Sequence, residues 1–222
     1  MSGSMLWRFV RKDLYFNRGL MAASSAIGLA GLCLQNLGDT AAYSATIMFV
    51  TALILVSVFI CMRGIFGERK EKALAFALSF PISPGQYLAA KVTGALTCFL
   101  VPGVVLGLGG LVMIELGQIA PGIIPVSVAV WLCFLDEFCL MLAVTFFSDS
   151  DNWTGVTIAT ISISTSFFFY FVLRMHSVYA TMRGPTAVWS QPLIGVITAE
   201  LAVMALIAAI VWFFLARKRD FI

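Results

Sequence analysis

RGIFGERKEKALAFALSFPISPGQYLAAK, residues 63–91, is the one long polar-headed insertion in a chain that is otherwise almost continuously apolar. Glu68, Arg69, Lys70, Glu71 and Lys72 intersperse both signs, and the run then turns apolar until Pro81, Pro84 and Gly85 interrupt it. That pattern predicts a short amphipathic helix followed by a break. Residues 73–90 carry no charge, but a helix over 73–80 rises only about 12 Å before the prolines and glycine, too little to cross a membrane. The stretch is therefore placed at the interface, as a cytoplasmic handle between two spans.

Working outward, composition decides the class. The chain is 61% hydrophobic and 11% charged over 222 residues, with mean hydropathy +1.00, far more apolar than a water-soluble domain needs. Charge-free windows long enough for ~30 Å of hydrocarbon take up most of it, so residues 1–222 form one membrane domain with no soluble catalytic module. The net charge is only +3, and the basic residues flank the spans, so nucleic acid is not an expected partner. Cys33, Cys61, Cys98, Cys133 and Cys139 are odd in number, lie in apolar windows and form no CxxC, so they are expected as core residues rather than disulfides or zinc ligands.

Near the N-terminus, Arg8, Arg11, Lys12, Tyr15 and Arg18 recur at helical spacing opposite Leu6, Phe9, Val10 and Leu14. This predicts a basic amphipathic helix within residues 1–18, lying on the cytoplasmic leaflet. A plain positive-inside flank is the alternative, and it gives the N-terminus the same location. The next apolar run is span-length and lacks a small-x-small end, which argues against a cleaved signal peptide. Leu32 separates the small residues from Cys33, so there is no lipobox.

Six spans are expected, over 19–38, 40–62, 92–114, 124–147, 153–173 and 190–216. Asn36 to Asp39 make a tight external turn after the first span and Pro121 and Gly122 the turn after the third, Asn152 is expected to cap the fifth span, and Ser190 the sixth, with Pro192 in its first turn. An even count puts both termini on one side, and twelve of the fourteen basic residues then fall there, leaving Arg174 and Arg183 outside. By the positive-inside rule that side is the cytoplasm. A seventh span through 73–90 would send Arg217, Lys218 and Arg219 outside.

No enzyme chemistry is visible. His176 is the only histidine, and there is no phosphate-binding G-x-x-x-x-G-K-[ST] loop. Gly103 and Gly107 in the third span, and Gly155, Ala159, Ser162 and Ser166 in the fifth, suit close helix packing. The exceptions to the apolar pattern are Asp136 and Glu137 near the middle of the fourth span and Glu200 in the sixth. An ionised carboxylate at that depth costs about 3 kcal/mol or more, so each should face the bundle interior, be protonated or find a donor. Adjacent residues point about 100° apart on a helix, so one of Asp136 and Glu137 can face a cavity while the other meets a neighbouring helix. Transport and a purely structural interhelical bond both remain open for these acids.

The handle carries Glu68-Arg69-Lys70-Glu71-Lys72-Ala73-Leu74-Ala75-Phe76-Ala77-Leu78, then Ser79-Phe80-Pro81-Ile82-Ser83, before re-entry at Tyr87-Leu88-Ala89-Ala90-Lys91. With the N-terminal interfacial helix and six spans, this resembles the ABC-type-2 permeases. The layout covers the whole chain, and its specific part is the acidic-basic helix followed by Pro-Ile-Ser. Lys72 stands where many members have a glycine, and no large external domain is present.

The resemblance implies an all-α integral membrane protein of six transmembrane helices, with an N-terminal interfacial amphipathic helix and a cytoplasmic coupling helix between spans two and three. In that family the coupling helix sits in a cleft of a separate ATPase subunit, which assigns ATPase coupling to Glu68, Arg69, Glu71, Leu74, Phe76, Leu78, Pro81 and Ser83. The implied protein is the permease subunit of an ATP-binding-cassette exporter in the bacterial inner (plasma) membrane, with N- and C-termini cytoplasmic. It is not itself an enzyme and has no cofactor of its own, since ATP and Mg are bound by the partner. The partners implied are ABC ATPase subunits, a second permease copy, identical or related, and membrane lipid.

Two other readings stand beside this one. A proton-coupled secondary transporter would use Asp136, Glu137 and Glu200, with a dimer supplying the second half that one six-span unit lacks. A non-transporting membrane scaffold or assembly factor would need neither the acids nor an ATPase. Nothing in residues 174–190 selects a cargo.

Overall fold

The chain opens on one unbroken helix, α1 (Gly3–Leu34). The computed structural model describes residues 3–35, 37, 39–66, 84–147 and 151–217. The expected coupling residues Glu68, Arg69, Glu71, Leu74, Phe76, Leu78, Pro81 and Ser83 therefore lie outside the described residues. After α1 come α2 (Asp39–Phe59), which continues as a π-helical segment (Ile60–Phe66), and α3 (Pro84–Glu115). A 3-10 turn (Pro121–Ile123) leads into α4 (Ile124–Phe147), then α5 (Asp151–Arg174), the short α6 (His176–Thr181) and α7 (Gln191–Arg217). No strand occurs among the described residues.

Five stretches among them are long and apolar enough to cross a membrane: Ser44–Arg63, Gly85–Glu115, Pro121–Phe147, Asn152–Arg174 and Gln191–Phe213. The chain is an all-helical, multi-pass membrane protein. α1 is not among the five; its uncharged part, from Gly19 to Leu34, rises about 24 Å. The surface helix expected to end at Arg18 is not a separate element, because α1 runs unbroken from Gly3 through Arg18 to Leu34. Only a change of composition marks that boundary in the sequence. A lone glycine costs a helix about 1 kcal/mol and does not stop it, and no proline stands at the junction.

α1 and α3 run side by side in the same direction. Lys91 Nζ lies 3.0 Å from Asp13 Oδ1, a pairing of residues 78 apart. Gly28 faces Leu106 at that same spacing, so closely that an added Cβ would run into Leu106 Cδ2. Gly109 then meets Leu29 and Leu32. α2 returns antiparallel on another side of α1, where Ser24 Oγ donates to the Ala52 carbonyl at 2.8 Å. Further along, a Cβ on Gly31 would come within 2.9 Å of the Ala45 carbonyl oxygen. Small residues set these separations, as expected where packing rather than water exclusion drives association.

The core lies where α2, α3 and α4 meet. Phe99 of α3 stacks on Phe138 of α4 with centroids 4.6 Å apart, among Leu53, Val56, Ile60 and Met141, all buried. Pro102 lies inside α3 and is fully buried. α4 is the most enclosed span, whereas α7 packs mainly along α4 and turns most of its apolar surface outward.

At the far end, Gly122 N–H donates to the Gly184 carbonyl at 3.0 Å. Val178 of α6 is buried with Val126, Ala129, Val172 and Leu193. The Pro121-Gly122 turn and the 174–190 segment thus share one end of the molecule, opposite the Lys91–Asp13 pair.

Several local expectations are corrected. α5 begins at Asp151, so Asn152 is in its first turn and not before it. The Ser190 carbonyl accepts from Ile194 N–H at 3.0 Å, but its hydroxyl has no partner and caps nothing. Cys33 is exposed rather than in the core, while Cys61, Cys98 and Cys133 are buried and Cys139 partly so. The second helical run passes the expected end at Met62 and reaches Phe66. Gly103 packs against the Trp131 indole, but nothing comes within 4 Å of a Cβ placed on Gly107. On α5, Gly155, Ala159, Ser162 and Ser166 all point outward, and Thr154, Thr157 and Thr165 form the buried face instead.

Candidate functional site

α4 contacts the core through Phe134, Phe138 and Met141 and meets α5 and α7 on its other side. A polar residue on that second side cannot escape to water, and three acids sit there. Asp136 and Glu137 are 9% and 8% exposed, and Glu200 on α7 is 9% exposed.

The two neighbours on α4 have different surroundings. Glu137 is directed at α5, where its Oε1 lies 2.6 Å from Thr165 Oγ1, and Cys133 Sγ, one turn earlier, donates to the same oxygen at 3.8 Å. Thr165 Oγ1 is also 2.9 Å from the Ile161 carbonyl. With one proton, that hydroxyl either donates to an ionised Glu137 or accepts from a protonated one while donating to Ile161. Asp136 Oδ1, Glu137 Oε2 and both Glu200 oxygens are buried with no hydrogen-bond partner.

Each of the three acids lies within electrostatic reach of the other two. α4 contains no Lys or Arg, and α5 and α7 carry theirs only at their ends, as Arg174 and Arg217. Burying an uncompensated charge is costly enough that the cluster must hold protons or receive a cation. No group of three or more His, Cys, Asp or Glu among the described residues is arranged to hold a metal ion.

Beyond the acids, toward the α4–α5 connection, α4, α5 and α7 part to form a cleft of about 420 Å³. Leu140, Ala143, Val144 and Phe147 line it from α4, Trp153 from α5 and Ile207 from α7.

A second polar pair has no counterpart among the sequence-based expectations. Lys91 reads in the sequence only as a flanking positive charge, yet it is 4% exposed and paired with Asp13, itself 13% exposed. Asn17 Nδ2 donates to the Asp13 carbonyl at 2.9 Å. Gly94 leaves room for the Asp13 carboxylate, since a Cβ there would stand 2.9 Å from Oδ2. The signal available in the sequence is that Asp13 is the only acid before Asp39.

The chain matches no family model, no curated protein and no solved structure. Its function is therefore argued from the chemistry of these two sites and from the segment between Phe66 and Pro84.

Proposed function

We propose that this chain is the permease subunit of an ATP-binding-cassette exporter, working as one of two permease copies with two separate ATPase subunits. The observation that carries the reading is the mixed-charge Glu68–Lys72 run, its apolar continuation and Pro81-Ile82-Ser83, placed between the helical run ending at Phe66 and α3. Interspersed charges of both signs give register against a complementary surface, and Leu74, Phe76 and Leu78 supply apolar area for a partner to cover. α3 starts at Pro84, and Lys91 grips Asp13 two turns later. Movement of the coupling segment by ATPase closure would therefore reach α1 and α3 together.

The six-span topology belongs to this proposal. α1 runs beside α3 over about 22 Å of its length, which supports counting it as the first span. Trp7, Tyr15 and Phe16 are exposed near its start, residue types suited to a membrane interface. Both termini are then cytoplasmic.

The test is recovery of the ATPase subunit with tagged permease variants. A seated aromatic is often worth about 2 kcal/mol, roughly thirtyfold in affinity. Phe76→Ala, and Glu68→Lys combined with Glu71→Lys, should lower recovery or uncouple hydrolysis from transport while membrane insertion stays normal. Full retention of recovery and transport in both variants sinks the reading.

The unpartnered carboxylate oxygens favour one second reading, a proton-coupled carrier using Asp136, Glu137 and Glu200. Asp136→Asn, Glu137→Gln and Glu200→Gln together keep shape but cannot ionise. Unchanged transport and pH dependence in that triple variant excludes it.

A further inference from the structure

We infer that the carboxyl cluster and the apolar cleft beside it form one binding site for a lipophilic organic cation, with the positive centre held by Glu200 and Asp136 and the apolar body lodged between α4, α5 and α7.

Glu200 carries the argument for charge. It is more than nine-tenths buried, and neither of its oxygens has a partner. The helix it packs on presents Asp136, Glu137 and Cys133, and α5 presents the neutral Thr165 to Glu137, so no base faces the cluster from these helices. Only Glu137 Oε1 is taken up, by Thr165 and Cys133, whereas Asp136 Oδ1 and both Glu200 oxygens have no partner at all and form the pair best placed to meet a ligand, with Glu137 Oε2 beside them.

Helical register supplies the apolar half. Leu140, Ala143, Val144 and Phe147 come after Asp136 at intervals that keep them on one stripe of α4, and Ile207 stands two turns beyond Glu200 on α7. The acids and the cleft therefore belong to one α4–α7 seam, with their centres about 10 Å apart along the helices. The cleft is an open apolar groove of about 420 Å³ whose own lining holds no acid, so a ligand lodged there meets the carboxyl groups at the groove's inner end. Phe147 and Trp153 add rings of the kind that attract diffuse cations.

Two other occupants fit less well. A small inorganic cation needs several oxygen ligands in ordered geometry, whereas the seam beyond the acids is apolar. A phospholipid would fill the cleft with an acyl chain, but its phosphate would be repelled by the acids. An organic cation with spread charge loses little hydration and satisfies both halves.

As the cargo class of the exporter this inference rests on the reading proposed above; as a binding site it does not, and the test reads binding alone. The full chain, in nanodiscs of neutral lipid and without any ATPase subunit, would be titrated with radiolabelled tetraphenylphosphonium. Saturable binding is expected, weakened at least tenfold by Glu200→Gln and by Asp136→Asn. Ala143→Leu, which fills the cleft without touching the acids, should weaken it comparably. Uncharged triphenylphosphine oxide should not compete.

Any of three results overturns the inference: no saturable binding above empty nanodiscs, wild-type affinity in Glu200→Gln, or equal competition by the uncharged analogue or by sodium. Elution profile and helical content identify a misfolded variant. If the acid variants misfold, Ala143→Leu and the uncharged competitor decide the outcome. ATPase-subunit recovery should be unchanged in all these variants, so loss of binding with recovery intact leaves the exporter reading standing, and the converse leaves the site standing.

Discussion

Lys91 and Asp13 are both largely shielded from water, so removing one takes from the other a buried ion-pair partner. Lys91→Met should lower stability by about 3–5 kcal/mol, and adding Asp13→Asn should recover a large part of that loss. Denaturant unfolding in detergent would measure both; equal stability of the single and double variants would show that the two residues are not coupled. At Thr165, valine removes the hydroxyl beside Glu137 and should cost about 1–3 kcal/mol, while serine keeps it and should cost less. The same measurement separates the two, and a valine variant as stable as wild type would mean that Glu137 does not depend on Thr165. The three intramembrane acids are legible in the sequence because charge in an apolar span is conspicuous. Side-chain partners are not: Thr165 for Glu137, and Asp13 for Lys91, lie 28 and 78 residues away and are unremarkable where they stand.

Helix positions are largely legible, because runs of uncharged residues and the punctuation at Pro121-Gly122 and 148–152 mark them. Helix faces are not. In water an apolar face must be buried, but lipid accepts it as readily as another helix does, so periodicity alone does not say that the Gly155 to Ser166 small face of α5 looks outward and its threonine face inward. Glycines give a graded test of the faces now assigned. Gly31→Ala places a methyl against the Ala45 backbone oxygen, which cannot step aside, and should cost about 1–3 kcal/mol. Gly28→Ala meets the end of the Leu106 side chain, which can rotate, and should cost less. Gly107→Ala meets nothing and should stabilise by up to about 1 kcal/mol, the helix preference for alanine over glycine. Thermal unfolding of the three would settle the order, and a Gly107→Ala loss as large as that of Gly31→Ala would contradict the open face assigned to α3.

For the whole molecule, the proposed six-span arrangement makes a labelling prediction. In a Cys33→Ala background, an impermeant thiol reagent should label Ser177→Cys in intact cells and miss Ser83→Cys and Ser150→Cys; the reverse pattern would remove the topology. The contact between Gly122 and Gly184 puts the 121–122 turn and the 174–190 segment on one side, as that topology requires. Mechanically, Pro102 is a weak joint halfway along a rod of about 48 Å. α1 spans that joint like a splint, fastened by the ion pair on one side of it and by Leu29 and Leu32 seated on Gly109 on the other. If the proposed coupling segment delivers a push at Pro84, it would thus be spent in swinging two bound rods as a single lever rather than in folding one of them at its middle.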